Sequence, residues 1–432
     1  MREFKAALWP HLPRADPRTL EEFLAGYLGD RRYSRYAEAV ESLGHTEPQI
    51  KDSYVAAFVK AEKAKPDACP RIIQPRTPRY NAAVGRWLRH LEKPLYKSVK
   101  RATKNQRVKA VISKGMNAEE TASCLHERWS SYIDPVAVFT DASRFDQHFR
   151  VPALQFEHSI YKACYPRGQH QELDKLLSWQ LSCKGWARCT DGTIRYRNTG
   201  GRMSGDMNTS TGNCLVMTAM LWAWANRTTN GRVDIIDNGD DAITIMERAD
   251  YQLFCTGITE FFRGLGFTLS IDGSTTTFER ISYCQTQPVY LGDKYIMVRD
   301  PRVAISKDCH FVRRLSAGKE LARHVSSIGQ CGLSLTGGCP VWQSFYEALL
   351  RNSGMHRRID QETGMEIMAR RMCRGCMTVS ADTRVSFWLA FGIHPHDQVV
   401  MEEYHATWSF GTDIEELIAA TPPDQFYVPT DF

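Results

Sequence analysis

The chain has 432 residues, 43% hydrophobic and 24% charged, with a net charge of +6. This is ordinary globular material without a low-complexity tract, enough for a large core built as two or three lobes. The charge is uneven: residues 60–114 hold sixteen Lys/Arg against Glu62, Asp67 and Glu92, a local +13 that leaves −7 for the remainder. Aromatics and prolines interleave that basic block, which points to a shaped groove for a phosphate-rich partner. Thirteen cysteines at irregular spacing indicate free thiols in a reducing compartment, not a disulfide framework. Cys373 and Cys376 form a CxxC followed by His394 and His396, a spacing looser than standard zinc fingers, so they are expected to be structural thiols. The opening MREFKAALWP lacks the apolar region of a signal peptide, and the most apolar run, Cys214 to Ala225, is too short to span a bilayer. A soluble polypeptide is expected.

In chain order, residues 1–60 read as helical, with LEEFLAGYLG and YAEAVESLG carrying apolar residues at three- and four-residue spacing. Prolines 66, 70, 75 and 78 forbid a long helix, so RIIQPRTPRYN is expected to be extended. Helical periodicity returns at VGRWLRHLEKPLY. PVAVFT (Pro135 to Thr140) reads as a buried strand emerging into the polar DASRFDQH. Leu173 to Trp186 reads as a helix, and CTDGTIRYRNTGG as a hairpin and a loop. Gly200, Gly201, Gly205 and Gly212 punctuate the approach to CLVMTAMLWAWAN, a buried helix. VDIIDNGDDAITIM is a hairpin, because Asn-Gly between apolar runs tolerates the positive φ of a tight turn. A helix follows near Tyr251–Gly264, then a second hairpin, VYLGDKYIMV, turning at Gly292-Asp293. Beyond about residue 300 the pattern is mainly helical.

The Asn-Gly turn alone does not need Asp237, Asp240 and Asp241 in five residues. Carboxylates this close repel one another and raise each other's pKa unless a cation sits between them. Such a site needs a further carboxylate, and Asp141, at the end of the PVAVFT strand, supplies it. One strand-end Asp with a hairpin-tip Asp-Asp is an arrangement that holds two Mg²⁺ ions about 4 Å apart. Magnesium binds through few carboxylates plus substrate phosphates, so two or three aspartates suffice.

DASRFDQH, GGRMSGDMNTSTGN and DNGDD, in that order, resemble motifs A, B and C of positive-strand RNA virus RNA-dependent RNA polymerases, most of all the tombusvirus and carmovirus replicases. PRIIQPRTPRYN and VISKGMNAEE upstream resemble motif F and its surroundings. FERISYCQTQPV resembles motif E, and TRVSFWLAFGIHP lies in the C-terminal lobe. GDD alone is a weak signal; the ordered set is specific and covers most of the chain.

The resemblance implies an RNA-directed RNA polymerase, a nucleotidyltransferase using Mg²⁺ with Mn²⁺ able to substitute. It implies an α+β right-hand fold whose palm is an antiparallel sheet with flanking helices. The N-terminal region and fingers would span 1–134, palm motif A 135–162, a fingers insertion 163–200, motifs B to D 201–288, and the motif E hairpin and thumb 289–432. Asp141 and Asp240 would be the principal metal ligands, with Asp241 a weaker contributor. Asp146 would accept a hydrogen bond from the ribose 2′-hydroxyl. Ser204 and Gly205 would form a pliable loop under the template–NTP pair, and Thr209 and Asn213 would help read the ribose. Arg71, Arg76 and Arg79 would grip the triphosphate, bidentate recognition being the strength of guanidinium.

Implied partners are the single-stranded viral RNA template, the nascent RNA and NTPs. The expected location is the host cytoplasm, on membrane-associated replication complexes reached through a partner or a membrane-anchoring N-terminal region that this chain does not carry. Initiation would be de novo, with the aromatics of TPPDQFYVPTDF supporting the first nucleotide. Between Glu247 and Gly292 there is no lysine, so the general acid that motif D often provides is left unassigned. Arginine is a poor substitute because it scarcely deprotonates. The rival readings are a reverse transcriptase, which would carry a bulky steric gate and lack SGxxxTxxxN, and a non-catalytic RNA-binding replication factor with a polymerase-like fold.

Overall fold

The computed structural model describes residues 1–63, 68–229, 231–312, 315, 318–356, 358–360 and 364–409. The tail TPPDQFYVPTDF lies outside the described residues. The chain divides into two compact units. The first comprises residues 1–60, 71–114 and 138–273; the second comprises the described residues of 61–70, 115–137 and 274–432.

The strands in chain order are β1 (Val55–Val59), β2 (Ile72–Ile73), β3 (Val108–Ile112), β4 (Pro135–Ala142), β5 (Ser182–Cys189) and β6 (Gly192–Thr199). They continue as β7 (Val233–Asp237), β8 (Asp241–Glu247), β9 (Leu269–Thr275), β10 (Thr286–Tyr290) and β11 (Tyr295–Arg299). A five-stranded sheet has the order β3-β7-β8-β4-β9, and a four-stranded sheet the order β2-β1-β5-β6.

The five-stranded sheet is mixed and not wholly antiparallel. β7 pairs antiparallel with β8, as the expected hairpin requires, but β3 lies parallel to β7 with Ile112 opposite Asp237. Every residue of β7 is buried, so this strand needs a partner on each edge. The Thr209–Thr228 helix is buried almost all round, which is why CLVMTAMLWAWAN carries no polar stripe.

Three sequence expectations are corrected in detail. The helix expected over Leu173 to Trp186 ends at Leu181, and SCKGWARC becomes strand β5 because its buried and exposed residues alternate at period two. The helix near Tyr251–Gly264 is two helices, Tyr251–Cys255 and Ile258–Gly264, parted by Gly257 at φ +90°. The extended Pro-rich segment stops at Thr77, whose side chain caps the helix Pro78–Leu88 by accepting the Tyr80 N–H; Pro78 suits the first turn, where no N–H is needed.

In the second unit β10 and β11 form the hairpin expected at Gly292-Asp293. Its inner face, Val289, Ile296 and Val298, joins a core with the helices Lys319–Thr336, Trp342–Ser353 and Ala381–Phe391. All thirteen cysteines are free thiols, and Cys373 and Cys376 are exposed. Among the described residues no helix is long and apolar enough to cross a membrane.

The tightest helix contact in this core is at Gly332, where an added Cβ would enter the ring of Tyr346. Gly332→Val should therefore destabilise the protein by about 1–3 kcal/mol through overpacking. Chemical denaturation followed by tryptophan fluorescence reads this directly, and an unchanged midpoint would deny the close approach of the two helices.

Candidate active site

The aspartate-rich turn is built from its first residue. Asp237 is fully buried at the end of β7, where its carboxylate accepts the Gly239 N–H at 2.6 Å and the Thr218 hydroxyl at 2.6 Å. This is an Asx turn anchored to the Thr209–Thr228 helix, and it leaves only Gly239 with positive φ, at +103°. Burial pushes the Asp237 carboxyl up to about 8, while the Thr218 and Gly239 bonds oppose that rise. Asp237 thus shapes the turn from inside, and Asp240 and Asp241 are the aspartates left at the surface.

Asp141 is the penultimate residue of β4, inside the strand and not beyond it. The Ala142 N–H donates to the Asp240 carbonyl at 2.9 Å, and the Thr140 hydroxyl donates to the Ala242 carbonyl at 3.1 Å. These bonds hold Asp141 beside the Asp240-Asp241 end of β8. From β9, the Ser270 hydroxyl donates to the Asp272 carboxylate at 2.7 Å and reaches the Asp141 carbonyl at 3.3 Å. Asp272 had no motif to mark it in the sequence. Burial raises the Asp141 carboxyl, and the negative charges of Asp240 and Asp272 raise it further. A carboxyl raised by burial and by acidic neighbours marks a place suited to a cation, and an all-oxygen donor set suits a hard divalent ion. Asp141 and Asp240 therefore fit a Mg²⁺ site. Among the described residues no group of three or more acidic, His or Cys side chains is drawn together tightly enough to bind a metal unaided. Two carboxylates plus substrate oxygens is the fit that remains.

Next to the aspartates lies a buried polar network. Asn213 donates to the Asp146 carboxylate at 2.8 Å, joining two of the three residues expected to read ribose. Burial raises the Asp146 carboxyl, partly offset by Asn213 and Arg202. Arg202, which has no exposed side chain, donates through Nε to the Asn213 side-chain Oδ1 at 3.1 Å and grips Glu157 with both terminal nitrogens. Its backbone N–H donates to the Asp146 carbonyl at 2.8 Å. Asn208 adds a second donor to Glu157 at 2.6 Å. A Cβ at Gly212 would strike both Glu157 and Arg202, which explains that glycine in the helix. Burial drives Glu157 upward and Arg202 opposes it; the charge of Glu157 holds the guanidinium above its ordinary range. Arg202 sits inside the motif B stretch, where the sequence alone assigns it no role, and Glu157, on the helix Val151–Ala163, carries no signal either.

Ser204 and Gly205 lie against the Pro-rich segment. The Gln74 N–H donates to the Ser204 hydroxyl at 2.9 Å, the Gly205 N–H donates to the Gln74 carbonyl at 3.2 Å, and a side chain at Gly205 would meet the Pro75 backbone. Arg76 differs from expectation. Its side chain is enclosed in an ion pair with Asp206, and it donates to the Ser53 carbonyl at 2.6 Å. Arg79 is likewise engaged by Asp52, Ser42 and Thr46. Both arginines clamp the protein in this structure, because two loops without regular ladders need buried donors to join them. Arg71 is exposed and extends the β1–β2 pairing through its carbonyl, which accepts the Lys60 N–H at 2.8 Å. The Thr209 hydroxyl donates to the Met203 and Asp206 carbonyls at 2.8 and 3.0 Å, so it closes the loop and does not point at a ribose here.

The sequence profile of the viral RNA dependent RNA polymerase family matches residues 1–413. The chain belongs to this family. It is 39% identical over 430 residues to an RNA-directed RNA polymerase of Tobacco necrosis virus (strain A), covering 97% of this chain and 57% of that protein. Against the RNA-directed RNA polymerase of Melon necrotic spot virus the identity is 40% over 403 residues, 90% of this chain and 50% of the relative. Against that of Tomato bushy stunt virus (strain Cherry) it is 39% over 409 residues, 93% and 48%. The chain therefore spans about half the length of the curated relatives it matches.

Glu157→Gln leaves the Arg202 charge buried without a counter-ion. Its cost is expected at about 3–5 kcal/mol of unfolding free energy. Denaturant titration measures it; a cost below about 1 kcal/mol would mean that the pair is not sealed from water.

Proposed function

We propose that this chain is the catalytic portion of an RNA-directed RNA polymerase that replicates a positive-strand plant-virus genome. The observation that carries the reading is the approach of Asp141 on β4 to Asp240 in the turn that leads into β8, next to the Asp146–Asn213 pair. In this reading the five-stranded sheet is the palm, residues 1–134 and 163–200 build the fingers, and 289–432 supply the thumb. The right-hand arrangement and these boundaries are supported by family membership and by the motif order.

The reaction joins a 3′-hydroxyl oxygen to the α-phosphorus of an NTP opposite a template base, with pyrophosphate leaving. Asp141 and Asp240, with Asp241 beside them, would hold Mg²⁺ or Mn²⁺. When bound, these ions neutralise the triphosphate and acidify the attacking hydroxyl. The protein's own share is positional. Asp146 and Asn213 form a polar pair able to satisfy a ribose 2′-hydroxyl, and Arg202 fixes the Asn213 amide so that it does so without reorganising. The Ser204-Gly205 loop, held to Gln74, gives the nucleotide a defined floor. Arg71 is the one arginine of the three retained here as a phosphate contact. De novo initiation, cytoplasmic residence and recruitment to membranes by a partner belong to the same proposal.

Asp240→Asn should abolish incorporation on a single-stranded RNA template while leaving RNA affinity within about twofold, since it removes a metal ligand and no cation. Substantial radiolabelled NTP incorporation by this variant with Mg²⁺ would sink the metal-site assignment.

Sugar choice separates this reading from reverse transcription. A 2′-deoxy substrate leaves buried polar groups unpaired, at roughly 1–3 kcal/mol each. Two such losses predict a preference for NTP over dNTP on the order of 10² to 10⁴ in kcat/KM. Asp146→Ala should collapse that ratio by slowing NTP far more than dNTP. Equal losses for both sugars would make Asp146 a purely structural partner of Asn213.

A further inference from the structure

The β5–β6 hairpin has two chemically different faces. Cys183 and Gly185 point inward, and Lys184, Trp186 and Arg188 point outward. The antiparallel register sets Lys184 opposite Arg197 and Trp186 opposite Arg195, so these side chains share the outer face. β1 runs parallel on the other edge with Ala56 opposite Trp186, which brings Tyr54 and Phe58, two residues to either side, onto the same face. The Lys184 ammonium stands 5.6 Å from the Tyr54 ring centroid. Tyr54, Lys184, Trp186, Arg188, Arg195 and Arg197 line a groove of about 680 Å³ that has no carboxylate in its walls. A second groove of about 550 Å³ shares Tyr54 and Trp186 and adds Arg32, Arg35 and Lys51.

Two features of this face oppose its own stability. Like charges directly opposite in a sheet, as at Lys184 and Arg197, are destabilising. Trp186 and Phe58 leave 40% and 53% of their surface in water. An anionic strand with exposed bases relieves both, since phosphates neutralise the cations and each base offers a π-face to a ring. A duplex hides its base faces and does not answer the aromatics.

We propose that the outer face of the β1–β5–β6 sheet is a docking track for single-stranded RNA, with Trp186 and Tyr54 stacking bases while Lys184, Arg188, Arg195 and Arg197 bind phosphates. The inner face connects the track to the loop under the nucleotide. Tyr196 packs across Gly185, where a side chain would fill its ring position, and its hydroxyl donates to the Gln74 side chain at 2.8 Å. Gln74 in turn bonds Ser204 through its backbone N–H. Tyr196, on the inner face behind the track, is thus two hydrogen bonds from Ser204. The choice of RNA over other polyanions rests on the polymerase reading.

The test is fluorescence anisotropy with a labelled, unstructured 20-nucleotide RNA, on the full chain, without NTP or divalent metal. Trp186→Ala should weaken binding about tenfold, Trp186→Phe should restore most of it, and duplex RNA should be indifferent to both. Arg195→Ala with Arg197→Ala should flatten the log–log salt slope by about 1.4, at roughly 0.7 per phosphate contact. Wild-type affinity in Trp186→Ala, or an equal loss for duplex, overturns the track. So does retained RNA affinity in variants that lose binding to vesicles of mixed zwitterionic and anionic lipid, which would assign the face to a membrane. NTP incorporation on a preannealed primer–template, measured separately on the unmodified chain, tests the polymerase reading itself. Incorporation with an unaffected Trp186→Ala rejects the track alone, and Trp186-dependent binding without incorporation rejects catalysis alone.

Discussion

The buried guanidinium of Arg202 is the group around which the polar centre of the first unit is arranged. Moving such a charge out of water costs several kcal/mol, and only a close carboxylate with further hydrogen bonds repays it. Glu157 supplies that carboxylate, Asn208 satisfies one of its oxygens, and Gly212 is small enough to let the helix come against the pair. Once Arg202 is fixed, its remaining donors point in set directions. Nε donates to the Asn213 side-chain Oδ1, which forces the Asn213 amide toward Asp146, and the backbone N–H takes the Asp146 carbonyl. A fully buried ion pair thus determines which way the buried Asn213 amide and the half-buried Asp146 carboxylate are aimed.

A second buried pair, Arg76 with Asp206, does related work for the backbone. Residues 203–206 and 74–76 are loops, and loops lack the ladders that fix strands. Arg76 fastens one to the other and also reaches Ser53 at the foot of β1. Gly205 allows the two backbones to touch, and the Gln74–Ser204 bond sets their register. The result is a continuous path of bonded groups from the sheet face carrying Trp186, through Tyr196 and Gln74, to the loop beside the aspartates.

The aspartates follow a division of labour set by burial. Asp237, wholly enclosed, has its carboxyl pushed upward by burial and accepts hydrogen bonds from Gly239 and Thr218, so its part is to hold the turn from inside. Asp141 is only partly enclosed and is crowded by Asp240 and Asp272, so it retains the electrostatic demand that a divalent cation meets. Three carboxylates that look alike in DNGDD are separated by depth into one buried turn-former, Asp237, and two that reach the surface, Asp240 and Asp241.

How much of this was legible in the sequence depended on whether the signal was local. Hairpins at Asn238-Gly239 and Gly292-Asp293, the buried helix after Gly212 and the strand leading to Asp141 are written in periodicity and turn chemistry, which act over a few residues. The ordered motifs also named Asp141, Asp240, Asp146 and Asn213, because metal binding and ribose recognition require particular side chains. Partner choice is not local. Arg76 and Arg79 are indistinguishable in sequence from phosphate-binding arginines, and only the approach of Asp206 and Asp52 from distant segments turns them into clamps. Glu157 sits 45 residues from Arg202 on an otherwise unremarkable helix, and the end of the helix at Leu181 was decided by β1, which offered SCKGWARC a strand to pair with. The sequence by itself determined which chemistry the chain carries; the tertiary structure decided which charges face one another, because the energy of a charge depends on what lies within a few ångströms of it and not on its neighbours along the chain.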